Sequence, residues 1–322
     1  MAWYVNDLSV GGQFASEREF WLEIEKILEL RAKAPALRDK LFVSRHLKER
    51  LVTGAITIRA ALDRLSSSNL RRQTLNWLAS AGPFWDDVRQ TAIDDYFEHE
   101  GYDVTNQGLG EAARRGMSGT DARSFSFEKC QTPDSSRTPL LVQHGLQESP
   151  LGSVSVLNDC GVEKLRAALM MSLPPPKNWG EAIPRLRLRF SRLQISAEIE
   201  AILDREPYSY HVFQRAMELL GVLQQFLESH DAQGNSTEQT QAILSSYFQR
   251  GNGLFSDESN ENKVKFRSEL TFPDPENNSL RIFCPWHGKI RSPQYRIHFL
   301  WPPATGVTKI KVVYLGPKIT KK

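Results

Sequence analysis

The chain has 322 residues, with 41 Lys and Arg against 38 Asp and Glu, a formal charge of +3, and 40% hydrophobic and 25% charged residues. That length suits about two domains, the composition is that of a globular chain, and no apolar run of about 18 residues is present to cross a membrane. Cys130, Cys160 and Cys284 are odd in number and far apart, and Met1 to Phe14 lacks a basic start and a long apolar core, so the expected setting is the cytoplasm, with reduced thiols.

Taken in order, Ala2 to Leu8 reads as a short strand closed by Gly11 and Gly12. Ser16 with Glu19 three residues on is a capping box, and Phe20, Ile24, Ile27 and Leu28 follow at helical spacing up to Pro35. Further helices are predicted over Leu37 to Leu47, Thr57 to Leu65 and Leu70 to Ala79, the last stopped by Gly82 and Pro83. From Gly82 to Arg115 acids alternate with aromatics; on a helix Asp87, Asp94 and Glu98 would lie near one face, a weak candidate set for Mg²⁺. The alternatives are an acidic helix face whose aromatics supply core, and an acidic patch that neutralises a basic surface on the chain's own tail or on a partner. The run Leu109 to Arg115 starts another short helix, and Gly108 and Gly110 complete no phosphate-loop pattern.

Residues 126–176 read as an irregular connector with short strands at Leu140 to Gln143 and Ser153 to Leu157, a helix from Gly161 to Leu173, and a Pro174 to Pro176 spacer. Beyond it Arg185 to Phe190 alternates polar and apolar residues, which predicts a strand with Arg185, Arg187 and Arg189 on one face, about 7 Å apart. Helices are predicted over Tyr208 to Ser229, Thr237 to Phe248 and Asp257 to Leu270. The expected architecture is α+β: a mainly helical part over residues 1–125, the connector, and a domain over residues 177–322 whose antiparallel sheet is covered by helices.

Leu280 to Lys322 holds nine Lys and Arg and no acid. Its three predicted strands, Leu280 to Cys284, Gln294 to Trp301 and Thr308 to Leu315, form a meander. Alternation turns Ile297, Phe299, Ile310, Val312 and Tyr314 inward and gathers Arg296, His298, Lys309 and Lys311 outside. A solvated face guarded by edge lysines is one reading; a face for a polyanion is the other, because acids are absent. Lys289, Arg291 and Lys318 join that basic set, as do the three arginines of residues 185–189. Cys284-x-x-His287 is half of a zinc pattern without a second pair nearby, and Cys284 lacks a base placed by sequence. No cofactor is called for.

The order of a helix, then Tyr295 to Phe299 (YRIHF), then Lys309 to Lys318 (KIKVVYLGPK) resembles the C-terminal sheet of the RelE/ParE toxin superfamily. That resemblance covers about a fifth of the chain and implies a metal-free ribonuclease with Arg296, His298, Tyr314 and Lys318 at its basic and acid/base positions. The whole chain also resembles bacterial proteins of the kind encoded in defence clusters. Two functions follow as expectations. One is a nucleic-acid-binding subunit of a bacterial, anti-phage complex with other protein subunits. The other is an enzyme: a RelE-like ribonuclease, or a metal nuclease built on the carboxylates between Asp86 and Glu98.

Overall fold

The computed structural model describes residues 1–89, 95–130, 133–231, 233–248, 253–303 and 308–320. It divides into two compact units, Met1–Leu173 and Pro174–Lys322, and the fold is α+β. Among the described residues no helix is long and apolar enough to cross a membrane.

The first unit runs β1 (Ala2–Val5), α1 (Glu17–Lys33), α2 (Pro35–Arg38), β2 (Leu41–Phe42), a hairpin of β3 (Leu51–Thr53) and β4 (Ile56–Thr57), α3 (Ile58–Arg64) and α4 (Ser68–Leu75). There follow β5 (Phe97–His99), β6 (Tyr102–Asp103), α5 (Gly108–Met117), β7 (Ala122–Ser126), β8 (Leu140–Leu146), β9 (Ser149–Val156), β10 (Asn158–Cys160) and α6 (Val162–Ser172). Strands β10, β7, β1 and β2 form a parallel sheet in that order, and β6, β5, β8 and β9 an antiparallel one. Helix α5 packs on strands of both. It can do so because Gly108 and Gly110 lie so close to the Val5 and Val104 carbonyls that a Cβ would overlap them.

Ser16 caps α1 by accepting from the Glu19 amide, and Thr57 caps α3. The part expected to be mainly helical therefore holds a parallel sheet. Leu41–Phe42 is a strand where a helix over Leu37 to Leu47 was predicted: Leu41 is fully buried and pairs with Trp3, so the tertiary pairing overrides a short helical period. Most of the expected connector is folded: β8 and β9 form a long hairpin, and α6 ends beside the boundary at Pro174.

The second unit runs α7 (Trp179–Arg189), β11 (Leu193–Ile195), α8 (Glu198–Leu203), α9 (Tyr210–Glu228), α10 (Glu238–Tyr247), β12 (Phe255–Ser256), α11 (Asn260–Lys265), β13 (Thr271–Pro273), β14 (Arg281–Phe283), β15 (His287–Ile290), β16 (Tyr295–Phe299) and β17 (Ile310–Pro317). Its sheet has the order β11-β17-β16-β15-β12, antiparallel except for β11 on β17. The inner face, including Ile290, Ile297, Phe299, Ile310, Val312 and Leu315, packs with residues of α7 to α10 into one core. Leu280 to Cys284, predicted as the first strand of the meander, instead pairs as β14 with β13 in a separate hairpin. The meander is β15-β16-β17.

The predicted strand Arg185 to Phe190 is the end of α7. Ala182, Ile183, Leu186 and Phe190 all enter the core at helical spacing, and Asn178 caps the helix; the alternation of Arg and Leu was a partial view of that stripe.

Candidate polyanion face and a polar cleft

The outer face of the second unit's sheet follows from its registers. His287 pairs with His298 and His298 with Tyr314; one step along, Lys289 pairs with Arg296 and Arg296 with Gly316. A β-bulge between His298 and Phe299, which pairs with Val312, inserts a residue in β17 and reverses the alternation there. Tyr314 thus lies on the outer side, against the expected inward placement, with its ring 5.6 Å from that of His298 and 5.7 Å from that of Phe272.

The first of these rows is covered. Phe272, in the middle of β13, and Cys284, just after β14, form a small core with Val313, backed by Ile282, Leu300, Tyr314 and Ile319. His298 is 1% exposed and sits 3.0 Å from the Cys284 carbonyl through Nδ1. Burial, with the neighbouring His287, pushes its pKa down to about 3. Tyr314 donates its hydroxyl to the Pro317 carbonyl at 2.6 Å, and burial lifts it to about 12. The expected outward cluster of Arg296, His298, Lys309 and Lys311 is therefore corrected: His298 is sealed, and Lys311 binds Asp274 at 2.8 Å and Glu276 at 2.7 Å.

The second row is open. Lys289, Arg296 and Lys318 are half-buried and Arg291 is exposed. Among the described residues none of the four forms an ion pair within 4.0 Å. Arg296 Nη1 reaches the carbonyls of Tyr295 and Ile290, while its shielded Nε has no partner among the described residues. Burial lowers the pKa of Lys289, and Arg296, Arg291 and Lys318 lower it further. Lys309 is exposed in the connection before β17; Lys321 and Lys322 lie outside the described residues.

The other predicted cations are dispersed. On α7, Arg187 is bound to Glu200 and the Ser196 carbonyl, and Arg185 to the Pro174 carbonyl, while Arg189 is exposed. The carboxylate set is not assembled on a helix: Asp87 lies in a turn and binds Arg45 at 2.6 Å, Glu98 is in β5, and Asp94 lies outside the described residues. Among the described residues no three His, Cys, Asp or Glu side chains gather as a metal site. Cys284 is fully buried and its thiol is pushed up to about 12 by that burial, so it is protonated at neutral pH and no nucleophile.

In the first unit a cleft of about 280 Å³ opens at the carboxyl ends of β1 and β2, lined by Asp7, Ser44, His46 and Arg50 and by Asp103, Asn106 and Gln107. This is the edge of a parallel sheet where ligands bind in open α/β folds. Asp7 is 3% exposed and accepts from the Gly108 amide, the first residue of α5, at 2.8 Å. The Oε1 atom of Gln107 is buried without a partner among the described residues. Sequence reasoning missed this cleft. Its only signal was the polar Asn6-Asp7 after an apolar strand, and nothing local says that the stretch 103–107 will lie opposite. No family model, curated protein or solved structure matches this chain.

Proposed function

We propose that the chain binds a nucleic acid by its phosphate backbone through Lys289, Arg291, Arg296 and Lys318. The observation that carries this reading is the direct cross-strand pairing of Lys289 with Arg296, with Lys318 and Arg291 near enough to depress Lys289 further. Like charges directly opposite each other in a sheet oppose folding. Glu258 offsets the pair only from beyond 4.0 Å, no carboxylate among the described residues forms an ion pair with either, and an external anion would. Binding is favoured over cleavage by His298 and Tyr314, because one is sealed and the other already donates its proton to Pro317. A role as one subunit of a larger assembly is consistent with such a face and is part of the proposal.

The test is fluorescence anisotropy with a labelled single-stranded RNA and a DNA duplex between 50 and 200 mM salt. Each phosphate contact contributes a slope of about 0.7 for single strands and 0.9 for duplex. The double variant Lys289→Ala, Arg296→Ala should flatten the slope by about 1.4 to 1.8 units and weaken binding at low salt. Wild-type affinity and slope in that variant would refute the assignment.

A further inference from the structure

Beside the basic row, Ser256 of β12 is the cross-strand partner of His287 of β15. Its Oγ is 3.3 Å from His287 Nε2, and Oε1 of Glu258 is 3.4 Å from His287 Nδ1. Nδ1 also faces the Pro285 carbonyl at 3.3 Å. Both neighbours of Nδ1 only accept, so Nδ1 carries the proton, and Nε2 presents its lone pair to the Ser256 hydroxyl. Glu258 is in turn held: Thr320 donates to Oε1 at 3.2 Å and Asn262 to Oε2 at 2.8 Å. His287 and Glu258 are buried, whereas Ser256 is partly exposed. An accessible hydroxyl, a sealed neutral imidazole of the right tautomer and a fixed carboxylate are in the order in which acyl-transfer enzymes use them.

We infer that Ser256 is a nucleophile, with His287 as its base and Glu258 as the group that positions His287, acting on a carboxylic ester that bears a negative charge. The Ser256 oxygen would add to the ester carbonyl carbon while its proton passes to His287 Nε2. The ester C–O bond then breaks and the leaving alkoxide takes that proton. Water attacks the acyl-Ser256, giving a proton to Nε2; the acyl–Oγ bond breaks, Ser256 regains the proton, and the acid is released. Glu258 offsets the imidazolium formed in between. The nucleophile is read from these three residues alone; only the charge of the substrate rests on the polyanion reading, since Lys289 is two residues from His287 on the same face of β15.

The test uses the full chain and a fluorophosphonate probe, whose P–F bond breaks as Oγ–P forms, with release of fluoride. Peptide mass spectrometry should place the adduct on Ser256 in the native protein, and neither acid-unfolded protein nor Ser256→Ala should carry it. Folded His287→Gln, or Glu258→Gln should it not fold, should label at least tenfold more slowly. Absence of a Ser256 adduct under conditions that label a known serine hydrolase overturns the inference. So does equal labelling in a folded His287 variant. p-Nitrophenyl hemisuccinate should turn over faster than p-nitrophenyl acetate, and Lys289→Ala should remove that preference. Ser256 labelling without the preference would refute the charge assignment and leave the nucleophile standing. Nucleic-acid affinity should be unchanged in Ser256→Ala.

Discussion

Burial lifts the Asp7 carboxyl to about 6 from an ordinary 3.8, although the Gly108 amide, Arg50 and Ser44 all favour its charged form. A folded-state value above the unfolded one means that the native chain binds the extra proton. This group therefore favours folding only in acid, and its contribution is lost as pH rises from about 4 to about 6. The shift corresponds to about 3 kcal/mol of opposition at neutral pH. A carboxylate kept in a cleft on those terms is the kind of group that handles a ligand or a proton. Asp7→Asn retains an acceptor for the Gly108 amide and removes the charge. It should melt several degrees higher than the native chain at pH 8, with the difference vanishing near pH 4. A lower melting point at pH 8 would mean that the attraction of Asp7 to Arg50 outweighs burial.

Two lysines of one sheet separate the roles that a basic stretch can play. Lys311 of β17 is held by Asp274 and Glu276, and Asp274 is 6% exposed, so truncating Lys311 leaves a buried carboxylate without its cation, though it keeps the Glu276 amide. Lys289 of β15 faces Arg296 and forms no ion pair within 4.0 Å among the described residues, and removing it relieves a repulsion. Lys311→Ala should lose about 1 to 3 kcal/mol in urea unfolding yet bind nucleic acid as before. Lys289→Ala should do the reverse, and a matching loss of stability in both would dissolve the distinction. The sequence reading put both residues in one basic set, and the acid-free composition of the tail was sound evidence that cations gather there. It could not show which are neutralised, because Asp274 and Glu276 come from a hairpin 37 and 35 residues earlier in the chain. Long elements were legible for the same reason that these contacts were not: α1 and α9 declare themselves through caps and a wide apolar stripe, both local. The bulge that turns Tyr314 outward and the pairing of Ser256 with His287 depend on partners distant in sequence, and local periodicity carries no trace of them.

At the scale of the whole molecule the two units carry buried groups of opposite sign. In the second, burial first, and then surrounding cations, hold His287 at about 4 against an ordinary 6.5, and His298 is lower still. Both are neutral when folded and gain protons on unfolding. Their contribution is therefore complete above about pH 6.5 and is lost as pH falls toward about 4. At pH 5 the loss is about 2 kcal/mol for each histidine taken alone. Over the same interval Asp7 moves the first unit the other way, because its proton is bound more tightly in the native state. Acid should thus loosen the second unit while this term steadies the first. Amide hydrogen exchange followed from pH 7 to pH 4.5, corrected for the intrinsic pH dependence of exchange, checks this directly. Protection in β15, β16 and β17 should fall well before protection in β1 and β7. The failure should begin at the outer face, where His298 and the β13–β14 hairpin pack against each other, since a charged His298 has no carboxylate within 4.0 Å among the described residues. If β1 and β7 lose protection at the same pH as β16, the buried histidines do not set the acid limit of the second unit.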